Sequence, residues 1–109
     1  MDGLCKFVHM ELTTKDIQTI RGYLQTQPVV RAFVFGSYAR GEAHDKSDLD
    51  LLLELDYSQP IGLQFVGMKL DLEEHLQKPV DLVSANGLSP RIRPFIEQDK
   101  QLVYERAAR

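Results

Sequence analysis

The segment SDLDLLLEL at 47–55 places leucine at 49, 51, 53 and 55 and an acidic residue at 48, 50 and 54. A period of two belongs to a β-strand, whose successive side chains point to opposite faces. One face, with Leu49, Leu51, Leu53 and Leu55, has to be buried. The other, with Asp48, Asp50, Leu52 and Glu54, has to meet water or a ligand. The chain must therefore build a sheet with at least one apolar face covered, and the remaining sequence has to supply the cover.

Helix and strand patterns alternate along the chain. Thr13 and Asp16 stand at capping-box spacing ahead of Ile17, Ile20 and Leu24, which predicts a helix closed by Pro28. VVRAFVFG at 29–36 is β-branched and aromatic and ends in glycine, as expected of a buried strand running into a tight turn. Pro60 opens an amphipathic stretch to about Gln77 that carries Phe65, Met68, Leu72 and Leu76 on one stripe, a crossover helix. Pro79 introduces VDLVS, a short strand with Asp81 at its start. Leu88 through Gln98 is expected as a last helix reached through Pro90, and QLVYER at 101–106 as a closing strand. This order implies an α/β (α+β) fold, a small mixed β-sheet with flanking helices. The 109 residues leave room for one domain, placed at 13–109; residues 1–12 show no clear period and form a leader to which no element is assigned.

Composition narrows the function classes. A net charge of −3 lacks the basic footprint of a protein that grips long nucleic acid by its phosphates. The lone Cys5 offers neither an internal disulfide nor a CxxC zinc or thiol pair, and points to a reducing compartment. The start lacks a signal-peptide pattern and no apolar run is long enough to span a bilayer, so a cytoplasmic protein without a membrane association is expected. No GxxxxGKS loop or GxGxxG fingerprint is present, which removes the P-loop and dinucleotide-binding readings.

The chemistry concentrates in FGSYARGEAHDKSDLDL. Gly36 permits a sharp turn and close backbone approach after the strand, and Ser37 offers a hydroxyl and an amide, a corner suited to phosphate oxygens. Asp48 and Asp50 sit two apart on a strand, so both carboxylates project from one face, their backbone positions roughly 7 Å apart. Mg2+ takes a carboxylate or two together with waters and substrate phosphates, so this pair facing a phosphate turn suits a metal-bound nucleotide. Asp81 adds a third carboxylate if its strand lies beside the second, and three aspartates can surround two ions about 3.5 to 4 Å apart. Arg40 is open to two readings, counter-charge for phosphate or a structural salt bridge. His9, His44 and His75 show no metal-ligand spacing, and Glu73 and Glu74 read as a solvated helix face.

GSYARGEAHDKSDLD, a GS turn followed after ten residues by DxD, resembles the signature of the polymerase-β-like nucleotidyltransferase superfamily. From the first helix onward, DLEEHLQKPVDLVS and LSPRIRPFIEQDKQLVYE resemble the minimal nucleotidyltransferases paired with HEPN-domain proteins in toxin–antitoxin modules. The resemblance implies that Gly36 and Ser37 bind the triphosphate of ATP. It implies also that Asp48, Asp50 and Asp81 are catalytic carboxylates holding Mg2+, as two ions. The implied activity is transfer of AMP from ATP to a tyrosine of a HEPN ribonuclease toxin, which silences it. A chain this short has no evident acceptor domain, so the acceptor is expected to arrive on a partner. Two alternatives stay open: a non-catalytic antitoxin that acts by steric binding, and transfer of a nucleotide to a small hydroxylated molecule.

Overall fold

The computed structural model describes residues 12–44 and 46–107. Its elements run α1 (Thr14–Leu24), β1 (Val29–Phe35), α2 (Ser37–Arg40), β2 (Leu49–Leu55), α3 (Gln64–Leu76), β3 (Val80–Ser84), α4 (Arg93–Asp99) and β4 (Gln101–Glu105), with a 3-10 turn at Ala85–Gly87. The four strands form one mixed sheet in the order β3-β2-β1-β4. β1 is antiparallel to both β2 and β4, whereas β2 and β3 are parallel and joined by α3. Parallel neighbours need a crossover of this kind, because a tight turn can only reverse the chain.

The alternation of β2 dictates how the sheet is covered. Leu49, Leu51 and Leu53 are fully buried against Ile20 and Leu24 of α1 and Met68, Leu72 and Leu76 of α3, with Ala32, Val34, Val80, Leu82 and Val103 from the other strands. A slip of one residue would bring Asp48 and Asp50, or Asp50 and Glu54, onto the buried face, and each buried leucine contributes about 2 kcal/mol, so the register is strongly fixed. The stripe of Phe65, Met68, Leu72 and Leu76 faces this core as its spacing predicts.

The opposite face is not simply solvated. Leu52, only 2% exposed, forms a second cluster with Leu88 and Ile96, flanked by Phe33, Phe35 and Val83. The short α4 packs Ile96 onto this face, and Asp50 near the start of β2 stays half-buried.

Three boundaries differ from the sequence expectation. α3 begins at Gln64 rather than near Pro60, because Gly62 takes a positive φ of 48° and the chain turns once through Ile61 and Gly62 before the helix starts. α4 begins at Arg93 rather than Leu88: Leu88 is drawn in as an apolar plug, and a turn from Ser89 to Ile92 leads into the helix, with Pro94 in its first turn. β2 begins at Leu49, one residue after Asp48, instead of at Ser47. Residues 1–11 lie outside the described residues, and with them most of the expected leader. No described helix is long and apolar enough to cross a membrane.

Candidate active site

β1 ends at Phe35, whose antiparallel partner on β2 is Asp50. The next residue, Gly36, adopts φ 74° and ψ −149°, backbone that an L side chain rarely occupies. A Cβ there would also collide with the Asp50 carboxylate. Glycine is required twice over, by the turn and by the close approach of backbone to carboxylate. The turn starts α2 at Ser37, where the Arg40 amide donates to the Gly36 carbonyl at 3.0 Å.

α2 is only four residues long, so its placement depends on anchors. Tyr38 and Ala39 pack against the main core, and the Lys78 ammonium lies 5.3 Å from the centre of the Tyr38 ring. The Gln101 side chain donates to the Ala39 carbonyl at 3.0 Å. The loop returning to β2 closes on a turn in which the His44 amide donates to Ser47 Oγ at 2.9 Å and the Ser47 amide to the His44 carbonyl at 2.9 Å. Asp48 leaves that turn exposed, immediately before the strand.

Asp81 is the register partner of Asp50 across the parallel pair, so both residues lie side by side on the face away from α1 and α3. Asp50 is half-buried whereas Asp81 is exposed. The Asp50 carboxyl is pushed up to about 6, first by burial, then by the negative charges of Asp81 and Asp48, with Arg40 pulling slightly the other way. Asp48, Asp50 and Asp81 thus share one electrostatic neighbourhood. Three hard oxygen donors whose mutual repulsion a cation would relieve fit Mg2+ chemically. Among the described residues no group of three His, Cys, Asp or Glu is placed to hold a metal ion by itself. An open carboxylate set is what Mg2+ requires when substrate phosphates and waters complete its shell.

Arg40 takes the structural role among its two readings: Nε donates to Glu42 at 2.9 Å and Nη1 to Asp99 at 2.9 Å. Those two contacts raise its already high pKa. It remains near enough for its charge to lower the Asp50 pKa. Sequence reasoning missed Asp99, whose distance of 59 positions from Arg40 leaves no local spacing to detect.

A family model described as polymerase beta, nucleotidyltransferase matches residues 18–109. The chain belongs to this family. As a nucleotidyltransferase it has relatives with protein-directed names. A protein of Methanocaldococcus jannaschii, provisionally named a protein adenylyltransferase, is 42% identical over 68 residues, 62% of this chain and 72% of that one. The protein adenylyltransferase MntA of Thermococcus cleftensis is 42% identical over 59 residues, 54% of this chain and 59% of the relative. A solved structure described as a minimal nucleotidyltransferase superposes with a TM-score of 0.72 at 38% identity, covering 85% of this nucleotidyltransferase and 96% of that chain. The same fold recurs at 16% identity and a TM-score of 0.65, over 84% of this chain and 71% of that one, in a complex described as a tri-AMPylated Shewanella oneidensis HEPN toxin with its MNT antitoxin.

Proposed function

We propose that this nucleotidyltransferase transfers AMP from ATP, with Mg2+, to a tyrosine of a HEPN-domain ribonuclease toxin, and so acts as an antitoxin. The observation that carries the proposal is the register of Asp50 with Asp81, with Gly36 pressed against the Asp50 carboxylate. The names of the relatives support a protein as acceptor, and the described MNT complex supports a HEPN partner.

In this reading Gly36 and Ser37 receive the β- and γ-phosphates, and the Arg40 charge lies alongside them. Asp48, Asp50 and Asp81 hold the metal, which when bound neutralises phosphate charge and aligns the reacting oxygens. The tyrosine oxygen forms a bond to the α-phosphorus while the bond from that phosphorus to the bridging oxygen breaks. Diphosphate leaves, and Asp81, exposed beside the half-buried Asp50, accepts the phenolic proton.

The test is to purify the chain with whatever it binds in its native cell and add labelled ATP and Mg2+. Label is expected on the co-purified protein, and on nothing when the chain carries Asp48→Asn together with Asp50→Asn. Unchanged labelling by the double variant would show that the site lies elsewhere, and transfer to a free aminoglycoside by the chain alone would favour a small-molecule acceptor.

A further inference from the structure

Between α4 and the Gly36 turn lies a cavity of about 380 Å³, lined by Phe35, Gly36, Arg40, Ile92, Phe95, Ile96 and Asp99. Its walls are mostly apolar, and none of the three aspartates of the candidate site lines it. Yet it shares Gly36 with that site, and Gly36 leaves the Asp50 carboxylate room that a Cβ would fill, so the cavity opens within one residue of the chemistry. Phe35 and Ile96 belong to the second cluster on this face. Phe95 is 68% exposed and Ile92 44% exposed, a large apolar cost for residues beside an acidic site unless something flat and apolar covers them.

Resting on the nucleotidyltransferase reading above, we infer that this cavity is the nucleobase subsite, with Phe95 of α4 and Ile92 just before it as the wall that the base packs against. Phosphate is disfavoured there, because the walls are mostly apolar and the one cation among them, Arg40, is already paired with Glu42 and Asp99. A nucleotide carries its own solution to a site that is polar at one end and apolar at the other: its phosphates are charged and its base is a flat ring with a π-face. The volume exceeds that of a purine and falls in the range of small-ligand pockets. Adjacency decides the occupant. A base and the phosphates of one nucleotide are separated by a single ribose, and the cavity and the phosphate turn meet at Gly36.

The polar groups at the rim, Arg40 and Asp99, are bonded to each other at 2.9 Å. The subsite therefore recognises a base by area and shape more than by its hydrogen-bonding edge. ATP and GTP should bind within a few-fold of each other, and CTP and UTP more weakly, because a pyrimidine covers less of Phe95 and Ile92.

The experiment is calorimetric titration of the full chain with Mg-ATP and, separately, with Mg-tripolyphosphate, which presents the same phosphates without a base. Phe95→Ala should weaken Mg-ATP about 10-fold or more, the scale of losing one stacking partner, and leave Mg-tripolyphosphate unchanged. Phe95→Trp should restore ATP affinity, which separates stacking from a general disturbance of α4. Phe95 is exposed, so the variants are expected to fold, and thermal melting checks it. Full ATP affinity in Phe95→Ala would overturn the subsite and leave the nucleotidyltransferase reading standing. Full ATP affinity with loss of the co-purified protein would reassign the cavity to partner docking. A wild-type chain that binds neither ligand would bring down both readings.

Discussion

Gly36 and Asp50 show how much of the site rests on two atoms that almost touch. The backbone turn that frees Ser37 exists because residue 36 has no Cβ, and the space so left is taken by the Asp50 carboxylate. Asp50 is in turn held in an unfavourable place, half-buried beside Asp48 and Asp81, with a carboxyl group pushed up to about 6. A folded pKa above the unfolded value near 3.8 means that the folded chain favours the protonated form. That contribution to stability is complete below about pH 4 and is lost as pH rises through about 6, so ionised Asp50 opposes folding at neutral pH. Asp50→Asn, which mimics the protonated carboxyl, should therefore stabilise the metal-free chain at pH 7.5 by about 1 to 2 kcal/mol, discounted from the full shift for partial exposure. At pH 3, below the unfolded value, the gain should nearly vanish. Urea unfolding of both chains in EDTA at the two pH values checks this, and an equal gain at both would show that the carboxylate is not strained by ionisation. The same variant should lose transfer, the exchange of stability for function typical of a strained active site. The sequence showed this pair only in outline: the spacing of Gly36, Asp48 and Asp50 was legible, but the collision that forbids any other residue at 36 depends on pairing between β1 and β2. Arg40 was legible as a cation near the turn, and its partner Asp99 was not, since that contact is made by the packing of α4.

At the scale of elements, the capping box on α1 is a local signal that the structure bears out atom by atom. The Asp16 amide donates to Thr13 Oγ1 at 3.0 Å and the Thr13 amide to Asp16 Oδ2 at 3.2 Å. Thr13→Ala should lower unfolding free energy by about 1 kcal/mol, seen as a lower urea midpoint with an unchanged slope. Because α1 covers the face of the sheet opposite the aspartates, transfer should stay within two-fold of the wild-type rate. A large loss of activity at equal folded fraction would mean that the helix cap reaches the site, through the Lys78 contacts to Asp16 and Tyr38. Elements were legible wherever periodicity or capping chemistry is local, as in α1, β1, β2 and the inner stripe of α3. They were misjudged where proline was taken as a helix start. Pro60 precedes a turn that Gly62 prolongs, and Pro90 belongs to the turn before α4, whereas Pro94 is the proline within the first helical turn. Leu52 was assigned to a polar face, and its burial under Leu88 and Ile96 follows from tertiary packing that no window of β2 contains.

The whole molecule places all three aspartates at one end of two parallel strands, and that arrangement exists only because α3 carries the chain back to start β3 beside β2. Asp81 is therefore the residue on which the domain's topology and its proposed chemistry meet, and it separates catalysis from steric binding as the way a partner is silenced. As acceptor of the phenolic proton, its carboxylate matters more in the transition state than in the nucleotide-bound ground state. Asp81→Asn should leave Mg-ATP affinity within a few-fold while lowering transfer by about 10² or more. Asp81 is exposed on β3, so the substitution removes no buried contact, and circular dichroism should show an intact fold. The decisive measurement pairs transfer with protection of cells from the partner, using one variant and confirming that the two proteins still co-purify. Loss of both transfer and protection, with the complex intact, would establish modification as the mechanism. Full protection without transfer would show that the partner is silenced by binding alone, and that the carboxylates on this sheet serve some purpose other than neutralising it.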